Sequence, residues 1–151
     1  MEVKNDNPYQ SPEAELQAGE IAHETANPLY RISAVGWATL FGTPLAGAWI
    51  VMHNLQLRGK ANKGALVWTG SIIQLLLMCG LLWLLPESVP ALPFTVVQVV
   101  TMLMFANVLL EDDINQHVEE NGAFLSNWQA VGVGVVFMLG VYALVYLGAL
   151  I

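Results

Sequence analysis

Charge is scarce in this sequence. Charged residues make up 11% of its 151 positions, with five bases against twelve acids. A soluble domain carries about 25%, so too little charge is present to coat a water-facing surface. Cysteine is nearly absent: the single Cys79 lies in an apolar run and excludes an internal disulfide. Bases are too few to form a nucleic-acid footprint, and the pI near 4.7 argues against one. No Gly-x-Ser-x-Gly elbow, phosphate-binding Gly-rich loop or Cys-x-x-Cys pair occurs, and no nucleophile stands at readable spacing from a base. No catalytic residue, metal ligand or cofactor is therefore expected. A basic, then apolar, secretory leader is lacking too. The first 31 residues are polar and acidic, so the first apolar run is expected to serve as both targeting signal and anchor.

Apolar residues are abundant, at 56% of the chain with a mean hydropathy of +0.56. They gather in four stretches: Ile32–Met52, Ala65–Leu85, Leu92–Leu110 and Trp128–Ile151. None contains Asp, Glu, Lys or Arg. A spanning helix needs about 20 apolar residues. Backbone in lipid must also satisfy its own hydrogen bonds, which selects helices. The expected fold is an all-α, polytopic membrane protein: an acidic, flexible tail over residues 1–31, then a four-helix membrane domain over 32–151. Trp37, Trp49, Trp68, Trp83 and Trp128 all stand toward stretch ends, as an interfacial belt requires.

The connections differ in kind. Residues 53–64 are short and basic, with Arg58, Lys60 and Lys63. Residues 86–91 hold Pro86 and Pro90 and predict a tight antiparallel hairpin of the second and third helices. Residues 111–127 are acidic and are expected to continue the third helix into water until Asn121-Gly122 stops it. The tail holds Ser11-Pro12-Glu13, a plausible helix start, and two Asn-Pro turns at Asn7 and Asn27. Bases favour the cytoplasm, which places the 53–64 loop inside and, by alternation, the 86–91 turn outside and the acidic loop inside. The first stretch is interrupted at Gly42-Thr43-Pro44. A kinked full span is the preferred expectation there, and a re-entrant hairpin the alternative. The hairpin puts Lys4, Arg31 and the basic loop on one side.

Small residues in the first stretch stand four apart: Ala38, Gly42 and Ala46, and beside them Thr39, Thr43 and Gly47. With Pro44, and with Gly134 of the fourth stretch, they allow close helix approach. Packing within the chain's own bundle is preferred over a partner interface. Polar side chains at membrane depth are Ser71, Gln74, Gln98, Thr101 and Asn107. Counted from the 86–91 turn, Gln74 and Thr101 fall near one level, as do Ser71 and Asn107, so bonds between helices are expected as glue. No ionisable residue accompanies them, which counts against a pump. Asp113, His117 and Glu120 share one face of a helix in the acidic loop, but a solvated acidic face accounts for them without a metal. His53 is expected at the water boundary.

From Phe41 through Gly42-Thr43-Pro44-Leu45-Ala46-Gly47 to Asn54 and Gly59, the chain resembles a group of small bacterial four-helix integral membrane proteins of uncharacterised function. That group shares a Gly-x-Pro-Leu-Ala-Gly element ahead of a basic loop. Gln116-His117, Gly122, Trp128 and Gly132 look similar to its last loop and helix, and the opening Asn7-Pro8-Tyr9-Gln10-Ser11-Pro12 recurs in various small bacterial membrane proteins. The resemblance implies a bacterial inner membrane and supplies no activity. The expected function is that of a non-enzymatic membrane protein acting through helix packing with itself or a membrane partner. The alternative is a small permease or lipid-handling protein that uses the Pro44 break and the polar residues at mid-membrane. The lipid bilayer is an expected partner, with a second copy or another membrane protein beside it, and nucleic acid is not expected.

Overall fold

Helix formation follows the apolar stretches, with one exception. A computed structural model describes residues 27–86 and 88–150. The tail's Ser11 helix start and its first Asn-Pro turn lie outside them. Among the described residues there are five α-helices, α1 (Ile32–Phe41), α2 (Pro44–Leu57), α3 (Gly64–Leu84), α4 (Leu92–Glu119) and α5 (Asn127–Gly148), with a 3₁₀ turn at Ala61–Lys63 leading into α3. The last three are long and apolar enough to cross a membrane. The described residues form no strand; one isolated parallel bridge joins Leu29 to Phe124.

The exception is the first stretch. Instead of one helix over 32–52 there are two, separated by Gly42 and Thr43. Pro44 takes the first position of α2, where its missing N–H costs nothing. At about 1.5 Å per residue, the ten residues of α1 rise only about 15 Å. The second helix then folds back along the first. Asn54 near its end bonds to Tyr30, just ahead of α1. Gly47 faces Thr39 and Val35, and a Cβ there would collide with the Thr39 hydroxyl. Trp49 therefore returns toward the end at which α1 starts, so Trp37 and Trp49 do not mark opposite interfaces.

This folded-back pair sits among the other three helices. Helix α1 packs on α4 and α5, and α2 on α3, α4 and α5. Leu29, Val35, Ile50, Val51, Leu55, Val67, Met102 and Leu110 are fully enclosed there. Toward the 86–91 turn the packing fades. Among the described residues, α4 and α5 nowhere bring Cα atoms within 8 Å of each other, nor do α3 and α5.

Two helix ends follow sequence chemistry closely. Asn121 adopts φ +54° after α4, and the amides of Asn121 and Gly122 bond back to Val118 and His117. Gly59 adopts φ +69° after α2, with the amides of Gly59 and Lys60 bonded to Gln56 and Leu55. Both are left-handed caps that satisfy the last carbonyls. As expected, α4 runs on through the acidic residues and stops at Asn121-Gly122.

Candidate functional site

Polar chemistry concentrates at the end of the molecule where α1 begins. Asn54 is fully buried, and its carboxamide clasps the Tyr30 backbone twice: Oδ1 accepts from the Tyr30 amide at 2.9 Å, and Nδ2 donates to the Tyr30 carbonyl at 2.7 Å. Leu29, one residue earlier, donates to Ala123 and accepts from Leu125, at 3.2 and 2.9 Å. Residues 29–31, assigned to the tail by composition, are thus built into the fold.

The basic loop and the acidic end of α4 meet at this same end. Lys60 Nζ lies 2.7 and 2.9 Å from the two carboxylate oxygens of Asp113, whose side chain is only 9% exposed. Arg58 donates to the Asp113 carbonyl at 2.9 Å and stands 3.8 Å from the Glu120 carboxylate. The His117 ring is 2.8 Å from the Ala123 carbonyl, and Phe124 packs edge-on against it at 5.0 Å. A Cβ at Gly122 would collide with that ring. The Arg31 guanidinium lies 4.9 Å over the other partner of this cluster, Phe124. Asp113, His117 and Glu120 thus each serve a different partner. Among the described residues no group of metal-ligating side chains converges.

An aromatic group lies beside this network. Trp49 stacks on His53 at 5.6 Å, and Tyr30 stands edge-on to both, at 6.3 and 5.3 Å. Trp49, Met52, His53 and Gln56 form one face of α2 and, with Trp68 of α3, line a cavity of about 190 Å³. Burial lowers the His53 pKa below its ordinary 6.5 and raises the Tyr30 phenol above 10.

The small residues of the first stretch pack inside the chain. A Cβ on Gly42 would come 2.7 Å from the Gly134 Cα, and one on Gly134 would come 2.7 Å from the Ala38 carbonyl oxygen. Ala38, Pro44, Ala46 and Gly47 are all buried. Close approach of α1 and α5 thus consumes the Ala38–Gly42 pair and Gly134. The Thr43 hydroxyl, at the break itself, is buried without a hydrogen-bonding partner among the described residues.

The polar side chains at membrane depth pair otherwise than by counting levels. Gln74 Nε2 donates to the Gln98 carbonyl at 2.9 Å, whereas Thr101 donates to Val97 in its own helix. Ser71 donates to Val67 and lies 3.9 Å from the Met102 sulfur; Asn107 donates to Glu111 one turn on. Hydroxyls on a helix reach their own i−4 carbonyl without needing a partner helix, so the strong bond to α4 comes from the longer Gln74 side chain, with Ser71 adding a weak contact to the Met102 sulfur. Beyond it α3 and α4 leave a cleft of about 450 Å³, walled by Ile73, Leu77, Leu81, Val97 and Phe105 and carrying Gln74 and Thr101.

Asn54 and the Lys60–Asp113 pair were not singled out by sequence reasoning. A basic loop and an acidic loop assigned to one side of a membrane were the available signal for the pair. Asn54 stood in the Gly-x-Pro-Leu-Ala-Gly resemblance, but its partner is backbone, which no side-chain pattern reports. No family model, curated protein or solved structure matches this chain.

Proposed function

We propose that the protein is a non-enzymatic integral membrane protein of the bacterial inner membrane that works by helix packing with a second copy or another membrane protein. In this proposal α3, α4 and α5 span the bilayer, and α3 and α4 form an antiparallel hairpin across it. The α1–α2 pair is a re-entrant hairpin. Its short arms support this, since the 10 residues of α1 rise about 15 Å and the 14 of α2 about 21 Å, both less than a roughly 30 Å hydrocarbon core. Tyr30, the basic loop and the acidic loop share one end of the molecule. Lys4, Arg31, Arg58, Lys60 and Lys63 then all lie on one side, against none on the other, and the positive-inside tendency makes that side cytoplasmic.

One observation carries the packing proposal. In each long helix only 11% of the most apolar window is buried, and among the described residues α4 and α5 bring no Cα atoms within 8 Å of each other. The stripe in α1 is spent internally, so a partner surface belongs to the far halves of the spans. The native Cys79 is exposed on α3. Thiol crosslinking in native membranes from Cys79, and from Gly140→Cys in a Cys79→Ser background, is expected to give a dimer or one defined adduct. Monomer alone from both positions overturns the proposal.

A second reading, lipid handling, is favoured by the cleft between α3 and α4, which places Gln74 and Thr101 beside an apolar channel. Loss of co-purified lipid or of liposome lipid flux in Gln74→Leu supports it, and unchanged values remove it.

A further inference from the structure

We propose that the cavity between Trp49, His53 and Trp68 binds an organic ammonium group, presented either by a lipid headgroup or by a small soluble cation. The tryptophans themselves separate this cavity from an interfacial belt. Trp37, Trp83 and Trp128 are exposed, at 42%, 86% and 82%, as belt residues are. Trp49 and Trp68 are half-buried, packed against the core, and face one shared cavity from two helices.

The walls are held in place. Trp49 is backed by His53 in a stack and by Tyr30 edge-on, and the Tyr30 backbone is fastened at both polar atoms by Asn54. Met52, also in the lining, fits because residue 64 is glycine: a Cβ there would lie 2.8 Å from the Met52 methyl carbon.

The lining also selects charge. It consists of aromatic rings, a thioether and the Gln56 amide, with no acid and no Lys or Arg. It offers no Lys or Arg charge to attract an anion. Aromatic faces carry negative quadrupole potential and attract weakly hydrated cations such as quaternary ammonium, for which aromatic cages are a known solution. Of the bases in the 53–64 loop, Lys60 is paired with Asp113 and Arg58 is engaged with Asp113 and Glu120, and Lys63, which forms no ion pair among the described residues, is not part of the lining. Acids outnumber bases at this end, with Glu111, Asp112, Glu119 and Glu120 exposed, and that raises local cation concentration. The site is independent of the helix-packing proposal, because none of its residues lies on the far halves of the spans.

The test uses the full-length protein in nanodiscs of phosphatidylglycerol, which carries no amine, with labelled choline as the probe. Saturable binding is expected. The uncharged isostere 3,3-dimethylbutan-1-ol is expected to compete at least tenfold more weakly than tetramethylammonium. Trp68→Leu is expected to weaken choline binding about tenfold, and Trp83→Leu to leave it unchanged. His53→Leu, which leaves both tryptophans in place, serves as a second variant and is expected to weaken it about threefold. Repeating the titration in phosphatidylcholine or phosphatidylethanolamine nanodiscs separates the sources. Loss of choline binding there identifies the lipid headgroup as the ligand, and retention identifies the soluble cation. Absence of saturable binding in phosphatidylglycerol, equal competition by the isostere, or equal weakening by Trp83→Leu overturns the proposal.

Discussion

The end of the molecule that carries Tyr30 and the two charged loops is built differently from the end that carries the 86–91 turn. At the first, an amide clasps a backbone segment and a lysine–aspartate pair closes over the core, and about 15 Å further along α1 the helix backbones touch at Gly42 and Gly134. At the second, Leu77, Trp83, Leu84, Leu92, Leu144 and Val145 are all largely exposed. In water such a contrast would mark an unfolded half. In lipid it does not, because hydrocarbon solvates leucine as well as another helix does, and helix association comes from close packing and polar bonds instead. Each helix of the open end still satisfies its own backbone. The contrast separates what holds this fold together from apolar surface that no other helix of the chain covers.

The largest break in that contrast is expected from Gly134→Leu. The side chain would have to occupy backbone of α1, which cannot rotate away, so a loss of about 3 kcal/mol or more is expected. Unfolding in a detergent titration measures it, and Gly140→Leu, where nothing lies within 4 Å, is the silent control. Next comes Asn54→Leu, which strands both polar groups of Tyr30 in a buried setting and should cost about 2–3 kcal/mol. Limited proteolysis should then cut near Leu29, and protection equal to the parent would show that the clasp is dispensable. Asp113→Asn leaves Lys60 facing a neutral amide. Lys60 is 40% exposed, so solvent screens the pair and the loss should be near 1 kcal/mol, shrinking further at high salt.

A smaller effect is expected from pH. Burial places the folded-state pKa of His53 below its ordinary 6.5. The unfolded chain then binds more protons than the folded one as pH falls through and below 6.5, so stability declines in that window. Above it His53 is neutral in both states and the contribution is complete. A thermal melt series across that range should show the decline, and His53→Phe should flatten it. At the bottom of the scale, Leu77→Ala in the open end removes side-chain surface that is 68% exposed, and should change stability by less than about 0.5 kcal/mol. A cost of several kcal/mol there would mean that this end is covered in the purified protein.

Particular residues show where sequence reasoning reaches its limit. Helices α3, α4 and α5 follow from apolar runs, and the end of α4 follows from Asn121-Gly122, since both are local properties of the chain. Gly42, Pro44 and Gly134 stand out as small or helix-breaking residues. Their spacing alone does not distinguish a kink from a fold-back, or an internal contact from a partner's. Counting along the helices put Gln74 level with Thr101, yet Gln74 reaches the Gln98 carbonyl. Side-chain length and the tilt of two helices decide that, and neither is a property of spacing.

The sequence by itself determined three helices long and apolar enough to cross a membrane, through its 11% charge and its uncharged apolar stretches. Only tertiary structure decided that the first stretch returns on itself, that Lys60 finds Asp113, and that Trp49 and Trp68 share a cavity. Each of these joins residues far apart in the chain. The periodic pattern of a helix reports which solvent it prefers, whereas such contacts depend on how whole helices are placed against one another.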